Sequence, residues 1–260
     1  MTTPEALAVL LAGVWAGMIN TVVGSGTLIT FPTLLALGYP PVTANVSNNV
    51  GLVFGSAMGA WGYRRELEGQ RRTVVRLVPM SFVGAVVGAL LLLRLPATAF
   101  EAVVPVLIGI SLVLVVVQPR VSAWTAARRE RLGTEHTGPG AAAGTGTLLA
   151  GVYGGYFGAA QGVLLVGLLG SLLPESLQRV NALKNVLSFV VNGVAAVTFL
   201  VVRPEAVEAR AVVLIAVGSV AGGVLGARIG RRLPQRVLRT VIVVVGVAAI
   251  VRLLWPAGGA

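Results

Sequence analysis

The sequence predicts an all-α polytopic membrane protein built from two copies of one helical unit. Three observations predict it. Of 260 residues, 56% are hydrophobic and only 11% charged, where a soluble domain of this size carries roughly 25% charge. Uncharged stretches run from Ala6 to Tyr63, Leu77 to Leu93, Ala102 to Pro119, His136 to Pro174, Val186 to Val202 and Ala211 to Ala227. Several of them reach the roughly 17–25 residues that a spanning helix needs. The third observation is that the two halves of the chain match each other, as the halves of an internally repeated fold do.

The match is residue by residue. Ser81, Gly84, Gly88, Arg94, Leu95 and Pro96 recur as Ser219, Gly222, Gly226, Arg232, Leu233 and Pro234, an offset of 138. Gly13, Val14, Gly17 and Gly24 recur at the same offset as Gly151, Val152, Gly155 and Gly162, while Asn45, Asn49 and Val50 face Asn181, Asn185 and Val186 at 136. Residues 1–118 thus form a first transmembrane repeat, 119–140 a polar cytoplasmic linker and 141–260 a second repeat.

In order along the first copy, the unit reads as a Gly-rich apolar segment (about 6–37), an Asn-bearing helix (43–63), a helix with a G-x-x-x-G pattern (74–94) and a plain apolar helix (98–118). The opening needs a special shape. As one helix, Ala6 to Tyr63 would reach about 87 Å at ~1.5 Å per residue, nearly three crossings of a ~30 Å bilayer core. With the Asn helix taken as one crossing, the remainder enters and comes back, turning near Gly24-Ser25-Gly26 as a Gly-interrupted hairpin or broken helix. Residues 1–5 lack the basic start of a secretory signal, so Ala6 to Gly17 is expected to be retained as structure.

Charge placement then orients the copies. If each Gly-rich stretch returns to the side it entered from, the copies are inverted, and sixteen cations (Arg64–Arg76, Arg120–Arg131, Arg179 with Lys184, Arg228–Arg239) lie on one side against four (Arg94, Arg203, Arg210, Arg252) on the other. If the stretches cross once, the count is twelve to eight. Cytoplasmic loops carry the excess of Lys and Arg, so the inverted arrangement is expected, with both termini outside the cytoplasm. Trp15, Trp61, Trp124 and Trp255 fall near segment ends, where indole rings suit the interface. Inverted repeats with interrupted helices are common among secondary transporters, whose sites lie between the repeats.

Composition excludes other chemistry. All nine acids are Glu, with no Asp, one His and no Cys, which leaves no aspartyl dyad, Walker-B Asp, EF-hand loop, zinc site, iron–sulfur site or thiol nucleophile. No cofactor, metal or nucleic acid is expected; the +11 net charge reads as orientation signal. A membrane-embedded enzyme would need a nucleophile–base pair in the bilayer, and the sole His, His136, lies in the linker. A non-transporting scaffold is the other alternative.

The candidate site residues are polar groups in apolar surroundings. Asn45, Asn49 and Ser56 share one helical face, and Asn181, Lys184, Asn185, Ser188 and Asn192 form a second stripe. Such groups are costly unless they face a cavity or a partner; either interhelical hydrogen bonding or substrate contact accounts for them. Lys184, the only lysine, either snorkels to the interface or stands inward as a fixed positive charge suited to a small oxyanion, and its counterpart is Asn48. Gly84/Gly88 and Gly222/Gly226 read as close-packing positions. Gly24-Ser25-Gly26 and Gly158 to Gly162 interrupt apolar runs and would present N–H dipoles to an anion. Asn20, Ser25, Thr27 and Gln161 are the polar side chains beside them.

The stretch Ala16-Gly17-Met18-Ile19-Asn20, then Gly24 to Pro32, Pro40-Pro41-Val42-Thr43-Ala44-Asn45 and Gly62-Tyr63-Arg64-Arg65-Glu66-Leu67, resembles the first repeat of the TauE/SafE sulfite-exporter family. Tyr153-Gly154-Gly155-Tyr156-Phe157-Gly158 and Arg179-Val180-Asn181-Ala182-Leu183-Lys184-Asn185 look like its second repeat. The likeness covers nearly all of the chain except the linker. Where the family often has three successive glycines, this chain has Gly24-Ser25-Gly26, and where it often has a further glycine, Gln161 stands nearby. The resemblance implies a multi-pass plasma-membrane permease for small sulfur-containing anions such as sulfite, thiosulfate, sulfoacetate or other organosulfonates. The substrate-binding set expected is Asn20, Ser25, Asn45, Asn49, Gln161, Asn181, Lys184 and Asn185. Since every Glu lies at a segment end or in a loop, no dedicated proton relay within the membrane is expected.

Overall fold

The structure, a computed structural model, describes residues 1–132, 139–229 and 235–254. His136, Trp255 and the Arg232-Leu233-Pro234 limb of the repeat lie outside the described residues. The helices are α1 (Thr3–Val22), α2 (Thr27–Ala36), α3 (Pro41–Gly62), α4 (Arg71–Arg94), α5 (Ala97–Leu132), α6 (Ala141–Tyr156), α7 (Gln161–Leu172), α8 (Leu177–Val202), α9 (Ala209–Ile229) and α10 (Gln235–Leu254). No strand occurs among the described residues. Five of these helices, α1, α4, α5 (over Ala97–Trp124), α8 and α9, are long and apolar enough to cross a membrane. The protein is therefore a membrane protein. α3 is long enough at 22 residues, but Asn45, Ser47, Asn48 and Asn49 dilute its apolar character.

The helix ends have local causes. Thr2 and Glu5 form a capping box at α1, the Thr2 N–H donating to the Glu5 carboxylate at 2.7 Å, and so occupy donors a helix start leaves free. Proline opens α3 at Pro41, where its missing N–H costs nothing. The Ser176 hydroxyl accepts from the Arg179 N–H at the start of α8. α5 runs on past the expected end at residue 118 and through Pro119 to Leu132, so the first part of the polar linker continues the helix.

Each Gly-rich segment is a pair of helices joined at a break, α1–α2 and α6–α7, as the spare length required. The copies interlock: α1 packs on α9 and α6 on α4, while α3 packs on α8, α5 on α7 and α10 on α2. Glycine permits the two closest of these approaches. A Cβ at Gly84 would fall on the Leu148 carbonyl oxygen, and one at Gly222 on that of Val14, which bears out the close-packing role. Ser56 and Asn192, counterparts at the offset of 136, bond directly, Asn192 Nδ2 donating to Ser56 Oγ at 2.8 Å.

The structure corrects one register of the repeat. Gly24, matched with Gly162 in sequence, corresponds in backbone geometry to Gly158. Both have positive φ (92° and 79°), and both close their helix with an N–H bond to the carbonyl five residues earlier, Ile19 and Tyr153. The first helical residues after the breaks are Thr27 and Gln161. The first segments therefore align at an offset of 134, one turn from the sequence match. At 134 Gly17 falls on Gly151 and Gly24 on Gly158, but Gly13 falls on Thr147 and Val14 on Leu148, so sequence identity favours the register one turn away.

Contacts at the two ends of the molecule position the segments. At one end Gln70, just before α4, donates to the Arg179 carbonyl at 3.3 Å, and Gly62 of α3 abuts Ala227 of α9. At the other, the Glu208 N–H before α9 donates to Ser47 Oγ near the start of α3 at 2.8 Å. α1 and α9 run parallel: Gly218, Gly222 and Gly226 meet Leu10, Val14 and Met18 in turn.

Candidate functional site

A broken helix leaves four carbonyls at the end of its first half and four N–H groups at the start of its second without intrahelical partners. The polar residues of this chain gather at those ends. At the end of α1, Lys184 Nζ donates to the Asn20 carbonyl at 2.9 Å and the Thr21 carbonyl at 3.1 Å. Asn181 Nδ2 and Asn185 Nδ2 also reach the Thr21 carbonyl, at 3.5 and 3.4 Å. Lys184 is fully buried, so it does not snorkel. At the end of α6, Asn45 Nδ2 donates to the Tyr156 carbonyl at 3.0 Å. Asn45, Asn181 and Asn185 thus make interhelical hydrogen bonds to the carbonyl ends of the broken helices.

The second halves start differently. Neither α2 nor α7 has a side-chain cap at its N-terminus, and the two starts meet: the Gly162 N–H donates to the Gly24 carbonyl at 3.0 Å. Around this junction Ser25 Oγ, Asn49 Oδ1 and Gln161 Nε2 are buried without a hydrogen-bond partner. Asn49 Nδ2 and Thr27 Oγ1 both border Gly158. Native proteins rarely leave such groups empty-handed, and each calls for a ligand or water. Lys184 is the one charged residue among the buried described residues, and no acid is among them. Phe31, Phe157 and Phe100 back the junction with edge-to-face contacts at centroid distances of 5.3 and 6.2 Å.

The eight candidates therefore divide. Ser25, Asn49 and Gln161 border the junction with unpartnered polar atoms; Asn45, Asn181, Lys184 and Asn185 hold helix ends, Asn45 with its Oδ1 likewise unpartnered; and Asn20 Nδ2 donates to Ser56 Oγ at 3.0 Å, joining the Asn192 pair. Sequence reasoning missed several partners. Asn48 bridges α3 to α2 through Thr30 and Thr27, and Tyr153 and Ser111 both donate to the Ala159 carbonyl in the second break, at 2.6 and 3.1 Å. Asn48 was signalled by its register with Lys184. Ser111 and Tyr153 had no polar counterpart in the other copy to mark them.

The junction is enclosed. Ser25, Asn49 and Gln161 are 1%, 4% and 3% exposed. A groove of about 610 Å³ between α2 and α10, one of about 310 Å³ between α5 and α7, and a basic cleft of about 270 Å³ bordered by Arg64, Arg65 and Arg228 are not lined by any of the three.

A profile of the sulfite exporter TauE/SafE family matches residues 9–253. The chain belongs to the TauE/SafE family. Among curated relatives, the chain is 33% identical over 93 residues to "Probable membrane transporter protein ORF9" of Sinorhizobium sp, covering 36% of each chain. It is 32% identical over 115 residues to "Probable membrane transporter protein YfcA" of Escherichia coli strain K12, covering 42% of this chain and 40% of that one. A "Probable membrane transporter protein" of Haemophilus influenzae is 30% identical over 105 residues, covering 40% and 41%. The chain thus spans about two fifths of the length of the curated relatives it matches. No solved structure matches it. The family profile spans both helix breaks, so the junction lies within the matched region.

Proposed function

We propose that this TauE/SafE member is a plasma-membrane secondary transporter, not an enzyme, that carries small sulfur-containing oxyanions such as sulfite or organosulfonates through the junction of the two broken helices. The observation that carries the reading is the meeting of the uncapped starts of α2 and α7 beside the unpartnered donors Ser25 Oγ and Gln161 Nε2, with Asn49 Nδ2 bordering Gly158. Helix starts carry about half a positive charge each and offer N–H donors to anions. The opposite ends, of α1 and α6, would repel an anion. They are covered by Lys184 and the Asn side chains, which leaves the positive starts to set the local field.

The two copies are read as inverted, each broken pair returning to the side it entered. The Gln70–Arg179 and Ser47–Glu208 contacts support this: with parallel copies, each pair would stand on opposite faces of the membrane. Enclosure of the junction fits one closed state of an alternating-access cycle, in which one repeat rocks against the other. The test is flux of radiolabelled sulfite, thiosulfate and an organosulfonate through proteoliposomes, with Asn49→Ala and Gln161→Ala alongside the wild type. Saturable flux reduced in both variants supports the reading; absence of flux for every sulfur oxyanion, with retained flux of an uncharged or cationic solute, sinks it.

A further inference from the structure

Lys184 reaches into a place where other transporters hold a metal ion. Unwound backbone carbonyls and the C-terminal ends of broken helices are the usual ligands of a coupling Na⁺ in transporters with interrupted helices. Here the end of α1 supplies such ligands, the Asn20 and Thr21 carbonyls, to the Lys184 ammonium at 2.9 and 3.1 Å. The Asn181 and Asn185 side chains converge on the same carbonyl. The lysine has no carboxylate partner among the described residues, so its charge is balanced only by oxygen dipoles, as a bound alkali cation's would be. Its stem lies against Gly162, where a Cβ would fall 2.8 Å from Lys184 Cδ, so the glycine clears the route by which the ammonium reaches the site. The other copy has no such charge. Asn48, the counterpart of Lys184, turns instead to Thr27 and Thr30 of α2, and the end of α6 is met by the neutral amide of Asn45.

We infer that the Lys184 ammonium is a tethered stand-in for a monovalent coupling cation, held by the Asn20 and Thr21 carbonyls at the end of α1. Two consequences follow. The wild-type protein needs no inorganic cation to hold the first break, and its transport draws nothing from a sodium or potassium gradient. Shortening the side chain at 184 vacates a site bordered by the Asn20 and Thr21 carbonyls, oxygen ligands that suit a hard cation. The inference is independent of which anion is carried, because its first readout contains no substrate.

The experiment is thermal unfolding of purified wild type, Lys184→Ala, Lys184→Asn and Lys184→Met in NaCl, KCl and choline chloride at constant chloride. The wild-type midpoint should be the same in all three salts. Lys184→Ala and Lys184→Asn should unfold lower in choline and recover by about 2–4 °C, saturably, in one of the alkali salts. Lys184→Met, which keeps the stem in the site without charge, should not recover. Alanine and asparagine variants that fold but ignore the cation overturn the inference. So does failure of both to fold in every salt, because an inorganic cation then cannot do what the ammonium does. Wild-type sulfite flux that rises several-fold with an imposed sodium gradient at fixed voltage overturns it as well.

Discussion

Asn49 and Asn185 occupy matching positions in the two copies and have different surroundings. Asn185 spends its amide on the Thr21 carbonyl, whereas Asn49 keeps its Nδ2, the only atom of its amide that can donate to an anion, beside Gly158 at the junction. Replacing Asn49 or Gln161 by Ala is therefore expected to weaken sulfur-oxyanion binding by about tenfold or more, the scale of one hydrogen bond to a charged group, with little change in unfolding temperature. Asn181→Ala and Asn185→Ala should do the reverse, because each removes a donor from a buried carbonyl. Binding isotherms and thermal melts on the same preparations check both, and exchange of the two phenotypes would reverse the assignment. The type and spacing of these residues were legible in sequence, since polar groups stand out in apolar helices. Their division was not legible: whether an amide meets a carbonyl end or a helix start depends on the depth at which the neighbouring helix breaks, which one chain segment does not encode alone.

At the scale of elements, the hairpin shape of residues 6–37 followed from length and glycine placement and appears as α1 and α2. The register of the first segments did not follow, because identity is higher one turn away, and the positive-φ residues Gly24 and Gly158 mark the true one. The crossed packing of α1 on α9 and α6 on α4 rests on Gly84 and Gly222, where an added methyl would fall on a backbone oxygen. Gly84→Ala and Gly222→Ala are expected to destabilise the protein by about 1–3 kcal/mol each, the range of overpacked sites. Gly109→Ala and Gly193→Ala, where nothing lies within 4 Å, should be neutral or gain up to about 1 kcal/mol from helix propensity. Chemical or thermal unfolding in one detergent separates the pairs. Equal effects at all four sites would mean that close approach is not what these glycines serve.

For the whole molecule, the proposed inverted topology, with both termini outside the cytoplasm, makes a labelling prediction. Single cysteines at Thr3 and at Glu208, both near the α8–α9 end, should react with an impermeant reagent from outside the cell, and cysteines at Glu66 and Ser176 only after permeabilisation. Labelling of Thr3 from the cytoplasmic side alone would refute the inverted arrangement. Energetics follow from the same charge map. With no acid among the buried described residues, an anion leaving a cell that is negative inside gains about 2.3 kcal/mol per charge for each 100 mV. Flux in proteoliposomes should accordingly respond to a potassium-diffusion potential. Flux that ignores voltage but follows a pH gradient, for an anion fully ionised throughout, would require a proton path that these residues do not provide.

Interlocking also constrains how the protein is made. The partner of α1 is α9, and roughly 190 residues separate Val22 from Ala209. At a ribosomal pace of about 5–20 residues per second, α1 waits on the order of 10–40 s in the membrane before the surface it packs against exists. During that interval the Gly13–Gly17 face and the free carbonyls at Asn20 and Thr21 have neither α9 nor Lys184. Residues 1–138 produced alone should be degraded rapidly, and co-production of 139–260 should rescue both pieces, a pulse-chase result that two self-sufficient halves would not give.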